Sequence, residues 1–251
     1  DNLALLPNAT TAINTVFRSL KWQEGDNILL TNHTYNACKN SIEFVTERYG
    51  ATYTVIDIPF PIESEAVVVD AVMAAVGPQT KLAFLDHITS PTALVLPVAK
   101  LITQLKERGV DTLIDGAHAP GMFPLNMDAL GATYYTGNFH KWLCTPKGAA
   151  FLYVAPEKQG LIRPLTISHG ANVGELSRFR NEFDWLGTHD PTAMCAIPKA
   201  IEVLSTFFEG GIREHMLRNR ALAQRAQEIL AEALDIPLPC PTSMLGSMAA
   251  F

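Results

Sequence analysis

Lys141 lies in "TGNFHKWLCTPKG" (136–148), after one strand-like stretch (132–135) and before another (149–154). A lysine at such a junction is ordinarily solvated. Here it follows Asn138 and His140, and other polar residues also trail apolar stretches. Asp86 and His87 end "KLAFLDH", Asp115 ends "TLID", and His118 follows in "DGAHAPG". Near the start, "NATTAIN" (8–14) puts Asn8, Thr10 and Thr11 where a helix would begin.

Each feature has a specific chemistry and an ordinary alternative. A carboxylate closing a buried strand is costly unless a cation or hydrogen-bond donor meets it, so Asp115 is either functional or satisfied by backbone N–H. Hydroxyls and unpaired amides at a helix start suit a phosphate dianion, or serve plain N-capping by Asn8 or Thr10. The chain has no GxxxxGK[ST], no GxGxxG and no GxSxG, which sets aside P-loop, dinucleotide and α/β-hydrolase readings. Taken together, the parts meet the needs of pyridoxal phosphate. That cofactor requires a lysine for a Schiff base, a carboxylate for the pyridine nitrogen, and a helix N-terminus for the phosphate. Lys141, Asp115 and residues 8–11 are of those types.

The elements that must position these residues alternate. Helical spacing covers 11–20, 35–50, 64–77 and 97–109, with Gly50, Gly77 and Gly109 as stops. Apolar strands are expected at 26–31, 51–58, 81–88, 110–115, 132–136 and 149–154. After Pro191 the pattern is mainly helical, with Pro198 placed to interrupt it. This order predicts an α/β fold with a mostly parallel sheet covered by helices on both faces. Ligands of such sheets bind at the carboxyl ends of the strands.

The 251 residues are 48% hydrophobic, enough for a sizeable core. With 19 basic against 25 acidic residues and no basic run, nucleic acid is not an expected partner. Four scattered cysteines without CxxC or zinc-like spacing suggest a reduced, cytoplasmic setting and no metal site. No apolar run approaches the ~20 residues of a membrane span. Both ends read as cut, with an apolar strand expected to start in the closing "PCPTSMLGSMAAF".

Four motifs, in order, carry a resemblance: "NATTAIN", "DGAHAPG", "GNFHKW" with its "TPKG", and "WLGTHDP". The chain resembles the large domain of the class V aminotransferase (cysteine desulfurase-like) family of fold type I pyridoxal-phosphate enzymes. "DHITSPTALVLPV" and "FDWLGTHDPTA" are most similar to its isopenicillin N epimerase-like branch. The resemblance implies a seven-stranded-type sheet in a large domain over 1–236, its N-terminal part missing, with a small C-terminal domain begun at 237–251.

It also implies roles. Lys141 matches the Schiff-base lysine and Asp115 the carboxylate on the pyridine nitrogen. His118 stands where the family often has a Gln bonding the phenolic oxygen. Thr10 and Thr11, with Asn138 and His140, match phosphate-binding positions. Tyr35, in preference to His33, is the aromatic over the ring. Thr188 matches a residue reaching the phosphate of a neighbouring subunit, which implies a homodimer with shared sites; a helix cap is its ordinary alternative. Ser90 replaces an Asn typical of desulfurases, and Cys144 is expected to be a packed thiol without a role. The implied activity is chemistry at the α-carbon of an amino-acid substrate, epimerase-like first. A cysteine desulfurase or related C–S lyase is the alternative, and an inactive binding protein is a third possibility that intact Lys141 and Asp115 disfavour.

Overall fold

The computed structural model describes residues 2–251. Its elements are β1 (Leu3–Leu6), α1 (Ala9–Ser19), β2 (Asn27–Thr31), α2 (Asn36–Tyr49), β3 (Thr52–Ile56), α3 (Glu65–Ala75), β4 (Thr80–Asp86), α4 (Val98–Glu107) and β5 (Asp111–Asp115). They continue with α5 (Met127–Leu130), β6 (Tyr134–Asn138), β7 (Ala150–Val154), α6 (Arg178–Asp184), α7 (Thr192–Cys195), α8 (Ile197–Thr206) and α9 (Gly211–Leu234).

One seven-stranded sheet has the order β1-β7-β6-β5-β4-β2-β3. Neighbours from β6 to β3 are parallel, and β7 runs antiparallel to both β6 and β1. The mostly parallel α/β sheet expected from the sequence is therefore present. Successive strand residues enter opposite cores, as the period of two requires. Ile28, Leu30, Leu82, Phe84, Leu113 and Tyr134 join α1, α2 and α6 on one face. Leu29, Ala83, Leu85, Ile114 and Tyr135 join α3 and α4 on the other. Burying each such large apolar side chain contributes roughly 1.5–3 kcal/mol.

The helix ends follow local chemistry. Asn8 caps α1 by accepting from the Thr11 amide at 2.8 Å. Gly50 closes α2 with φ 69°, a left-handed conformation that glycine adopts without side-chain strain. The helical part after Pro191 is three helices, α7 to α9; the first break falls at Ala196, with Pro198 in the first turn of α8 where its missing N–H costs nothing. In α6, the buried carboxylate of Glu182 is met by both Nε and Nη2 of Arg163, at 3.0 and 2.5 Å.

Two features differ from the sequence-based expectation. The opening segment holds the edge strand β1, paired with β7 from Leu3↔Tyr153 to Leu6↔Ala150. The closing segment forms no strand. Residues 242–244 make a 3-10 turn, and Leu245 bridges Leu94 while packing with Met244 into the α3/α4 core.

Candidate active site

Strands β4, β5 and β6 end at one edge of the sheet, beside the start of α1. A cavity of about 220 Å³ opens there. Among its lining residues are Thr10, Tyr35, Asp115, His118, Asn138, His140 and Lys141, with Asn8, Asp86 and Ser90. These seven expected site residues, far apart in sequence, are thus brought together. Thr11 and Thr188 are not. The Thr11 amide and hydroxyl both turn to Asn8 Oδ1, and Thr11 lines a different cavity with His189 and Asp190. Thr188 is exposed after Gly187, and the first amide of α7, that of Thr192, donates to Asp190 Oδ1 at 2.9 Å and not to Thr188.

The helix end of the cavity is rich in donors. Of the first amides of α1, Ala9 donates to Asn138 Oδ1 at 2.8 Å, Thr11 to Asn8 Oδ1, and Ala12 to the Asn8 carbonyl. The Thr10 amide and hydroxyl donate to no partner among the described residues, leaving both for a ligand. His140 donates from Nδ1 to the Ala149 carbonyl at 2.9 Å. Burial lowers its pKa, as do the charges of Lys141 and Lys147, although the bond to Ala149 opposes the shift.

The opposite end holds two carboxyl groups. Asp115 Oδ1 accepts from the Ala117 amide at 2.9 Å, and Oδ2 from the Cys38 thiol at 3.4 Å. Gly116 makes this turn possible, because a Cβ there would lie 2.1 Å from Tyr135 Oη. Asp86, buried in the adjacent strand, leaves Oδ2 without a hydrogen bond among the described residues. Burial raises the pKa of both carboxyls. Asp86 is raised further by the charge of Asp115, although the backbone amides of Asp86 and Tyr35 and the Thr34 hydroxyl oppose the shift. Asp115 is held back by the Ala117 and Cys38 bonds and by Lys141. The first proton taken up by the pair therefore belongs on Asp86, leaving Asp115 as the carboxylate.

Between the two ends, Lys141 Nζ lies 3.0 Å from His118 Nε2, and Trp142 Nε1 lies 3.4 Å from His118 Nδ1. Burial pulls the Lys141 pKa down, while the charge of Asp115 opposes the shift. Burial and the charge of Lys141 lower His118 to about 4. A lysine with a lowered pKa in a cleft, near a buried carboxylate, is suited to nucleophilic or proton-transfer chemistry.

Other polar residues find structural roles. His33 is buried, its ring bonded to Thr92 Oγ1 at 2.7 Å and to the Ile58 carbonyl at 2.8 Å, so Tyr35 is the aromatic at the cavity. His87 bonds Tyr135 Oη through Nδ1 at 2.8 Å, and burial lowers its pKa to about 4. Cys144 is not packed as expected. It is exposed at a left-handed turn, φ 60°, which directs its side chain out of the fold. Sequence reasoning passed over Cys38 and Trp142. Cys38 sits on α2, and nothing in its local pattern places it beside a strand end 77 residues away.

Residues 2–251 match the profile of the family described as "Aminotransferase class-V". The chain is 35% identical over 268 residues to an isopenicillin N epimerase from Amycolatopsis lactamdurans, covering 100% of this chain and 66% of that protein. It is 34% identical over 263 residues to a putative L-cysteine desulfhydrase 1 from Oryza sativa subsp. japonica, covering 98% of this chain and 53% of that protein. The chain thus spans about half to two thirds of these relatives' length. A solved structure of a C-DES variant with glycine covalently linked to its PLP cofactor superposes with a TM-score of 0.77 at 23% identity, over 94% of this chain and 63% of that one. At that identity the likeness speaks for the fold alone. With the profile match spanning residues 2–251, the chain belongs to the aminotransferase class-V family.

Proposed function

We propose that this cavity holds pyridoxal phosphate, and that the whole protein acts at the α-carbon of an amino acid in the manner of an isopenicillin N epimerase. The observation that carries the reading is one cavity with Lys141 in its wall, the Asp115 carboxylate at one end and the unengaged Thr10 donors at the other. The donor set fits the group: an amine for an aldehyde, a carboxylate for a ring nitrogen, and amide and hydroxyl for a phosphate. When bound, the cofactor supplies an electron-accepting ring that stabilises negative charge at the substrate's α-carbon.

The chain's residues do the rest. Asp115 keeps the ring nitrogen protonated, a task that the Ala117 and Cys38 bonds prepare it for by favouring its charged form. Thr10, Asn138 and His140 hold the phosphate. Tyr35 covers a ring face, and His118 reaches the phenolic oxygen. Lys141 takes the α-proton as general base, and its lowered pKa brings the free amine nearer to working pH. We read the functional unit as a cytoplasmic homodimer in which Thr188 serves the partner's site, and residues 1–236 as its cofactor-binding domain.

A second reading has its own support. Identity to a putative L-cysteine desulfhydrase, 34%, is close to the 35% to the epimerase, which favours C–S bond cleavage on cysteine as the alternative outcome. A desulfurase using a thiol from this part of the chain gains no support, because no cysteine lines the cavity.

Two experiments test these readings. Borohydride treatment of the full-length protein with pyridoxal phosphate should fix the cofactor on Lys141; an adduct on another lysine, undiminished in Lys141→Ala, would overturn the site. Reaction in heavy water, with chiral analysis and a sulfide assay on the same samples, separates the outcomes. Epimerisation gives deuterated substrate of inverted configuration without sulfide. Sulfide and pyruvate from cysteine, with no inversion of any amino acid tested, establish the lyase.

A further inference from the structure

Consecutive residues grip the two ring nitrogens of one histidine. Lys141 Nζ is 3.0 Å from His118 Nε2, and Trp142 Nε1 is 3.4 Å from His118 Nδ1. An indole N–H only donates, and a neutral imidazole has one donor nitrogen and one acceptor. We propose that Trp142 is a positioning residue: its N–H fixes His118 in the tautomer protonated on Nε2, so that His118 donates to the Lys141 amine and stabilises its neutral form.

The alternatives each put two donors face to face. A proton on Nδ1 would point at the indole N–H, which excludes both the other tautomer and the imidazolium. With the proton on Nε2, an ammonium at Nζ would offer only further N–H groups. The arrangement is closed when Lys141 carries a lone pair. The charged group that acts on Lys141 is Asp115, which favours the ammonium, so the histidine opposes it; Cys38, kept a thiol by burial beside Asp115, carries no charge. His140, on the same loop, donates from Nδ1 to the Ala149 carbonyl instead.

Trp142 is well held for this task. It packs against the α3/α4 core. Its carbonyl carbon also lies so near Gly121 that a Cβ there would come within 2.4 Å of it. The indole is thereby a fixed donor, in the way that outer partners fix the tautomer of a working histidine.

The inference deepens the proposed function and rests on it only for the use made of Lys141; the tautomer follows from the chain alone. The test therefore uses full-length protein without cofactor, and it reads out whether or not pyridoxal phosphate turns out to bind. With ¹⁵N-labelled histidine, the His118 resonances (assigned by their loss in His118→Gln) should show unprotonated, pyridine-type Nδ1 and protonated, pyrrole-type Nε2. A protonated Nδ1 in the wild type overturns the proposal, and this arm needs no Trp142 variant. In Trp142→Phe, both nitrogens should move toward the average of the two tautomers. The pH dependence of Lys141 labelling by an amine-reactive reagent should then shift up by about one unit, tenfold in the equilibrium. In a His118→Gln background the same Trp142→Phe change should leave Lys141 unmoved, because the effect travels through the histidine. Unchanged nitrogens in Trp142→Phe, or a Lys141 shift that persists without His118, would overturn the assignment.

Discussion

Asp86 and Asp115 are Cα partners on the neighbouring parallel strands β4 and β5, and both line the cavity. Partners in a parallel pair share a face of the sheet, so two buried carboxyl groups stand side by side. Asp115 has two hydrogen-bond donors, while Asp86 leaves Oδ2 with none among the described residues. Like charges so placed cannot both be ionised cheaply, and the proton falls to Asp86, which burial and the charge of Asp115 hold well above the usual carboxylate range, while Lys141 holds Asp115 down.

That placement predicts a pH-dependent gain from Asp86→Asn. Burial, then Asp115, raises the Asp86 pKa in the fold. For an acid with a raised folded pKa, the folded state binds more protons than the unfolded one between the two values. Stability therefore falls as pH rises through that window, by up to ~1.4 kcal/mol per pH unit. Asparagine has the same shape and no such proton to take up. In urea titrations of the cofactor-free protein, the variant should gain on the wild type as pH rises from 5 to 8. An equal difference at both pH values would mean that Asp86 is ionised in the fold.

His140 predicts proton uptake with phosphate. Its Nδ1–H is committed to the Ala149 carbonyl, so the neutral ring leaves only a lone pair on Nε2. Burial and the neighbouring lysines keep its pKa below the usual value, hence neutral at pH 7.5 before binding. A phosphate dianion is bound by the ring only once Nε2 carries a proton, so binding should take up as much as one proton per site. Calorimetry in two buffers of different ionisation enthalpy measures this, with 4-deoxypyridoxine phosphate as ligand because it lacks the aldehyde that would engage Lys141. His140→Asn should abolish the uptake; the same uptake in the variant would remove His140 from the phosphate site.

Much of this site was legible because strand ends are local events. Asp115 and Lys141 each follow an apolar run, and a parallel sheet delivers the ends of its strands to one edge. Asn8 announced α1 by its cap. What stayed hidden depends on partners distant in the chain. The four residues of β1 are too few for a period to show, and they form a strand by pairing with β7 some 145 residues later. Cys38 and Trp142 gain meaning only once Asp115 and His118 are seen beside them. Asp86 was noted as a strand-end carboxylate, but its lack of a partner is a fact of packing.

Gly121 and Gly131 offer a matched pair of substitutions. Both have positive φ, 85° and 70°, where an added Cβ is strained by roughly 1–2 kcal/mol. Around Gly131 nothing lies within 4 Å, so Gly131→Ala should lose about that much and leave cofactor binding intact. At Gly121 the Cβ would meet the Trp142 carbonyl carbon at 2.4 Å and the Leu143 nitrogen at 2.5 Å. Those are backbone atoms of the loop that carries Lys141. Gly121→Ala should therefore cost a further ~1–3 kcal/mol of overpacking in urea titrations. It should also weaken pyridoxal phosphate binding, followed by the absorbance of the bound cofactor. Equal losses at the two positions, with binding intact in both, would show that the loop absorbs the added methyl without moving Lys141.

Thr188 supplies the test of a shared site. It is exposed beside Gly187, whose φ of 104° turns the chain there, and it lies outside the cavity of its own chain. The helix that follows has Pro191 at its N-cap, and its first amide donates to Asp190, so capping does not account for Thr188. If its hydroxyl completes the partner's phosphate site in a two-fold dimer, Thr188→Val and Lys141→Ala should each inactivate, by damage to different subunits' contributions to one site. Subunits mixed in equal amounts would give half heterodimers, each with one intact site of two, and thus about a quarter of wild-type activity. Native mass spectrometry would establish that exchange has occurred. Activity no greater than that of the two variants alone, after confirmed exchange, would place Thr188 outside the shared site; so would full activity of Thr188→Val by itself.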